Sequence, residues 1–135
     1  MKRILLIEDD QLIAELESRI LTQEGLTVVK AETLDDARQA MKDASFDLIL
    51  ADLQLAAGGA EDTIEFLAPH AKALPIVICS GHYATSRGLT LRTTCAACGF
   101  SAYLDKYDLA MTGPKLGANL LDAYNRFHSG TESLA

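Results

Sequence analysis

The chain has 135 residues, of which 49% are hydrophobic, and a formal net charge of −7. That length leaves room for one domain; no apolar stretch approaches the roughly 20 residues of a membrane-spanning helix; and an acidic chain without a basic stripe is not built to bind DNA or RNA phosphates directly. Lys2 and Arg3 precede an apolar run that acids interrupt almost at once, so the start reads as neither signal peptide nor anchor, membrane insertion is not expected, and a cytoplasmic location is.

The first apolar run, Arg3–Ile7, reads as a short buried strand closed by three acids, Glu8, Asp9 and Asp10. After it, Leu12, Leu16 and Ile20 recur at i+4 spacing with Ile13 and Leu21 beside them, which predicts a helix stopped by Gly25 and burying that stripe. A second strand is predicted over Thr27–Ala31. Thr33-x-x-Asp36 then has the form of a capping box before a helix carrying Ala37, Ala40 and Met41. The third strand, Asp47–Ala51, ends in a further carboxylate, Asp52. A third helix carries Ile64, Leu67 and Ala68. Pro75 introduces a fourth strand, Ile76–Cys79, with Ser80 at its end. The fifth strand, Ser101–Leu104, leads to Lys106. The last helix puts Leu116, Leu120, Tyr124 and Phe127 on one face, with Thr112-Gly113-Pro114 marking its start. One domain is expected over residues 1–128, followed by a short polar tail over 129–135.

Strands alternating with helices imply βαβ units, a parallel sheet and right-handed crossovers, here a three-layer, doubly wound α/β domain. The carboxyl ends of parallel strands share one edge, where ligands bind in open α/β sheets. Glu8, Asp9, Asp10, Asp52, Ser80 and Lys106 therefore meet at one rim. Converging carboxylates raise each other's pKa unless positive charge sits among them. A loose cluster of few carboxylates suits Mg2+. No Gly-rich phosphate cradle accompanies them. The cysteines are Cys79, Cys95 and Cys98, an odd count that fits reduced thiols. Cys95-Ala-Ala-Cys98 reads as small residues on the buried side of a helix; a redox pair is the lesser alternative, and a zinc site would want two more ligands.

Four short segments each fall at a strand terminus: Ile7-Glu8-Asp9, Leu50-Ala51-Asp52-Leu53, Cys79-Ser80-Gly81 and Tyr103-Leu104-Asp105-Lys106. In that order they resemble the receiver domain of bacterial two-component response regulators, over Lys2 to Phe127. The resemblance implies a flavodoxin-like, five-stranded parallel sheet in the order 2-1-3-4-5 with helices on both faces. It implies that Asp52 accepts a phosphoryl group from a phosphohistidine on a sensor histidine kinase or histidine phosphotransfer protein. Mg2+ would be held by Glu8, Asp9, Asp52 and the backbone carbonyl of Gln54. Lys106 and Ser80 would meet the phosphoryl oxygens. Ser80 and Tyr103 would form a switch, the ring of Tyr103 turning from solvent into the core, and Gln54 and His82 would tune the lifetime of the phosphoryl group. The resemblance implies a regulatory module rather than an enzyme, acting on an unidentified downstream protein.

The chain departs from that pattern in three places. Ala56 stands where the family usually has proline, in a loop reading Ala56-Ala57-Gly58-Gly59. Tyr107 replaces the proline that usually follows Lys106, so a trans peptide is expected there, because a cis bond before a non-proline residue costs about 2.5–4 kcal/mol. The interval from Ser80 to Lys106 is longer than usual, and the polar stretch His82–Arg92 with Gly88 predicts a long loop before the fourth helix, or a displaced helix. Two other functions fit the same fold. One is a protein-interaction domain independent of phosphorylation. The other, less favoured, is a Mg2+-dependent phosphatase with an aspartyl nucleophile, for which Asp52-Leu53-Gln54 lacks the second acid and the chain lacks room for a cap domain.

Overall fold

The computed structural model describes residues 1–53, 59–81, 85–106 and 113–130. Its elements are β1 (Arg3–Ile7), α1 (Gln11–Gln23), β2 (Thr27–Ala31), α2 (Leu34–Asp43), β3 (Leu48–Asp52), α3 (Ala60–Leu67), a 3-10 turn (Ala68–His70), β4 (Ile76–Ser80), α4 (Ser86–Ala97), β5 (Ala102–Asp105) and α5 (Gly113–Ser129). The five strands form one parallel sheet in the order β2-β1-β3-β4-β5. This is the doubly wound α/β architecture that the alternating pattern predicts.

The continuous apolar runs are explained by burial on both faces of the sheet. Leu5, Ile7, Ile49, Ala51, Ile76 and Ile78 pack on one side with Ala37, Ile64, Leu67, Leu91, Cys95 and Phe100 from α2, α3, α4 and the turn after α4. The alternate residues, Ile4, Leu6, Leu48, Leu50, Val77 and Cys79, pack on the other side with Ala14 and Leu21 of α1 and Leu116, Leu120 and Ala123 of α5. The period of two thus divides each strand between two helical layers.

Strand limits shift by one residue in three strands, β3, β4 and β5, to the benefit of the rim. Asp52 is the last residue of β3 and is paired with Cys79, and Ser80 is the last residue of β4 and is paired with Asp105. Asp47 is not in the ladder; its Oδ2 instead accepts from the backbone N–H groups of Lys2 (2.8 Å) and Arg3 (2.9 Å). Helix starts follow the side chains. Asp10 caps α1, accepting from Leu12 N and Ile13 N, and Thr33 caps α2, accepting from Asp36 N. Gly25, at φ +88°, turns the chain after α1 in a conformation that strains any other L-residue.

Two expectations are corrected. The inner stripe of α1 is Ala14, Glu17 and Leu21, while Leu12 is 84% exposed and Leu16 42% exposed. At about 100° per residue Leu12 lies nearly opposite that stripe. The i+4 leucines sit on its outer face, and a glutamate occupies a core-facing position that apolar periodicity assigns elsewhere. Second, no long loop precedes α4: only residues 81–85 separate it from β4. Thr85 caps this helix by accepting from Gly88 N, and Thr90, Thr93 and Thr94 donate their hydroxyls to carbonyls one turn back. Its inner face is only Gly88, Leu91 and Cys95, which leaves little apolar rhythm in the sequence.

Candidate functional site

The rim is assembled from the ends of β1, β3, β4 and β5. The backbone N–H of Glu8 donates to Ala31 O at 3.0 Å, extending the β1–β2 edge and turning its side chain into the protein. Glu8 and Asp52 are both buried, Asp52 at 3% exposure. Asp9 is half-buried beside them, and one carboxylate oxygen from each of Glu8, Asp9 and Asp52 lies within 4.8 Å of the others. Lys106, just past β5, reaches across the sheet end. Its Nζ stands 2.7 Å from Asp52 Oδ2 and 3.1 Å from Glu8 Oε1.

Charge explains the ionisation of this group. Burial, a hydrogen bond with Asp52 and the charge of Asp52 push the Glu8 carboxyl up from the usual 4.5 to about 8, against the opposing pull of Lys106 and of the Asp10 N–H. Burial works against the Lys106 ammonium, but its hydrogen bond to Asp52 and the charges of Asp52 and Glu8 outweigh that, holding its pKa above that of a free lysine. One ammonium faces three carboxyls, so the site carries excess negative potential. Its donors are hard oxygens, several to a small space, which fits a divalent cation such as Mg2+.

The other sequence candidates are placed as follows. Ser80 is fully buried, one residue past Cys79, the ladder partner of Asp52. Asp10 serves as the cap of α1, its Oδ1 accepting from Leu12 N at 3.0 Å and Ile13 N at 3.2 Å. Tyr103 is 3% exposed, with its ring in the core beside Leu91, Cys95 and Phe100 and its hydroxyl also buried. Gln54, Ala56, His82 and Tyr107 lie outside the described residues. Burial, with Cys98 nearby, pushes the Cys95 thiol up to about 12, so it is not a reactive thiolate and fits the reading of a small core residue.

Sequence reasoning missed Glu17. It is 5% exposed on the inner face of α1. Burial pushes its carboxyl up to about 7, with Lys106 pulling it down and Asp52 pushing it up. The signal was available only to a correct phase of α1: an acid between Ala14 and Leu21 on the stripe that meets the sheet.

In the described residues no helix is long and apolar enough to cross a membrane. A search among curated proteins finds no match. Solved structures share the fold. A sensor protein from Polaromonas sp. JS666 is 23% identical with a TM-score of 0.76, over 93% of this chain and 98% of that one. A response regulator receiver domain protein from Clostridium thermocellum is 19% identical with a TM-score of 0.75, over 93% and 96%. The response regulator protein TrrA from Thermotoga maritima, solved in complex with Mg(2+)-BeF, is 21% identical with a TM-score of 0.64, over 87% and 98%. The family model described as the response regulator receiver domain matches residues 4–109, a span that runs from the first strand through Asp52 and Ser80 to Lys106. A match over most of the length leaves one conclusion: the chain belongs to the response regulator receiver domain family.

Proposed function

We propose that this chain is the phosphoacceptor of a two-component phosphorelay, with Asp52 as nucleophile toward a phosphohistidine on a sensor histidine kinase or histidine phosphotransfer protein. The observation that carries the reading is the buried Lys106–Asp52 contact of 2.7 Å within a carboxylate cluster at the strand ends. A carboxylate attacks an anionic phosphoryl group only where the charge is neutralised. Lys106 supplies one positive charge on the nucleophile's own oxygen. Mg2+, when bound by Glu8, Asp9, Asp52 and the Gln54 carbonyl, supplies the remaining neutralisation of the phosphoryl oxygens. Asp52 Oδ forms the O–P bond as the donor's P–N bond breaks, and the imidazole keeps the electron pair. Lys106 then turns to a phosphoryl oxygen, and the Ser80 hydroxyl donates to another.

In this reading the domain spans residues 1–128, 129–135 is a tail, and the module works in the cytoplasm on a downstream protein. Ser80 and Tyr103 relay the phosphorylated state, while Gln54 and His82 set its lifetime. Helix α1 is the face offered to the phosphodonor protein. Leu12 and Leu16 are exposed there, and a groove of about 600 Å³ lined by Glu8, Gln11, Leu12, Glu15, Lys30 and Glu32 opens beside the site.

The test is intact mass after incubation with Mg2+ and acetyl phosphate, with Asp52→Asn in parallel. The expected result is one added phosphoryl group on the wild type and none on Asp52→Asn. A wild type that binds Mg2+ but gains no mass sinks this reading and leaves an interaction domain on the same fold.

A further inference from the structure

The groove beside α1 is continuous with the rim that holds Asp52. In the sheet ladder Ile7 is paired with Ala31, and the Glu8 N–H donates to Ala31 O at 3.0 Å. Glu32, the next residue of the chain, therefore stands one strand over from Glu8, and β3 with Asp52 lies one strand over on the other side. Two strand spacings come to about 10 Å. The groove, of about 600 Å³, is lined by Glu8, by Leu12 and Ala14 of α1, and by Glu32 and Asp36 at and beyond the end of β2. The cations around it are already engaged: Lys30 Nζ and Arg19 Nη2 both pair with Glu15, at 3.0 and 3.3 Å. Glu32 accepts from the neutral amide of Gln11 at 3.3 Å, and among the described residues no cation meets Glu32 or Asp36. Two uncompensated carboxylates thus share the groove with the apolar surface of Leu12 and Ala14. A lysine or arginine matches both features, its methylenes on the apolar surface and its charged head toward the acids.

We propose that this groove receives a basic side chain of the phosphodonor protein, an arginine or lysine held about 10 Å from its phosphohistidine. The inference rests on the phosphoacceptor reading and adds what the donor carries beside its phosphohistidine. A phosphohistidine is anionic and approaches a chain of net charge −7. A cation on the donor offsets that repulsion, and acids outside the site are where it can land without drawing Lys106 away from Asp52. An ion pair formed in the groove also fixes the donor's orientation on the rim. The spacing from groove to Asp52 is close to two turns of helix, so one helical surface can supply both contacts. The bond changes stay at Asp52, where the P–N bond breaks as the Oδ–P bond forms; the groove contributes encounter and alignment.

The probes are two alanine-based helical peptides of identical composition, each with one histidine and several arginines, phosphorylated on the histidine with phosphoramidate and then freed of it. In the first the arginines lie one and two turns to either side of the phosphohistidine on the same helix face; in the second they lie on the opposite face. Phosphoryl gain with Mg2+ is followed by intact mass for the wild type, for Glu32→Gln and for Glu32→Gln combined with Asp36→Asn, with acetyl phosphate as the small donor for each protein. In the wild type the first peptide is expected to transfer on the order of fivefold faster than the second, the scale of one or two exposed ion pairs. KCl at roughly 1 M should erase that difference. In the double variant the two peptides transfer at one rate. Should the double variant fail to fold, a reduced ratio in Glu32→Gln carries the test. Equal rates from both peptides in the wild type, or a ratio undiminished in the folded variants, overturns the proposal while phosphorylation from acetyl phosphate stands. A wild type that accepts no phosphoryl group from any donor overturns the underlying reading instead.

Discussion

At the scale of single residues, Glu17 makes the stability of this protein depend on pH with an unusual sign. Most carboxylates in folded proteins are held below their free pKa, and folding gains as pH rises. Burial raises the Glu17 carboxyl from the usual 4.5 to about 7. Between those values the unfolded chain has released the proton that the folded chain still holds, so stability from this group is complete below pH 4.5 and is lost as pH climbs toward 7. The loss amounts to about 3 kcal/mol. Urea unfolding at pH 5, 6, 7 and 8 should show the wild type falling away from Glu17→Gln across that range. Two parallel curves mean that the buried charge is not what distinguishes them. Asp10 presents the opposite case: its carboxylate looks like part of the acidic cluster in the sequence, yet it is taken by two N–H groups at the start of α1.

At the scale of elements, α1 presents one face to the sheet and an apolar edge to solvent. Leu12 and Leu16 lie one turn apart on that outer side, next to the groove beside Glu8. In the proposed function the site receives a large donor, and exposed leucines so close to it are its contact surface. Leu12→Asp with Leu16→Asp is expected to slow transfer from a phosphorylated donor protein on the order of tenfold, the scale of losing one or two buried interface side chains. The rate with acetyl phosphate should stay as in the wild type. An equal slowing with both donors places the defect in the site and not in docking. The same helix shows why periodicity misleads. Leu12, Leu16 and Ile20 form a clean i+4 series, but the buried stripe is anchored by small Ala14, which lets the helix approach the sheet, and by Leu21. In α4 the difficulty is reversed: threonines satisfied within their own helix and a three-residue inner face leave almost no apolar pattern to read.

At the scale of the whole molecule, the site joins residues far apart in sequence, and what made it legible was topology. Glu8, Asp9, Asp52, Ser80 and Lys106 were each found at the end of an apolar run, and a parallel sheet brings such ends together whatever lies between them. Glu17 was not legible by that rule because it lies within α1, on a buried face that the i+4 leucines do not mark. The burial of Tyr103 was equally hidden, since an aromatic on an edge strand has solvent and core both open to it. The converging acids also tie global stability to cation binding. Without a divalent ion, the carboxylates of Asp9 and Asp52 stand within 4.8 Å of each other, with Lys106 beside Asp52 and burial favouring a proton on Glu8. Folding brings these oxygens together and the unfolded chain spreads them, so in the proposed function Mg2+ binds the folded state selectively. At a hundred times its Kd it should stabilise the protein by about 2.7 kcal/mol. For a domain of this size that is a rise in Tm of roughly 8 °C. Asp9→Asn removes one ligand and one repelling charge at once. The variant should therefore melt at or above the wild type in EDTA and below it in saturating Mg2+. Two melting curves in each condition decide the matter: if the order does not reverse, Asp9 is not part of the cation site.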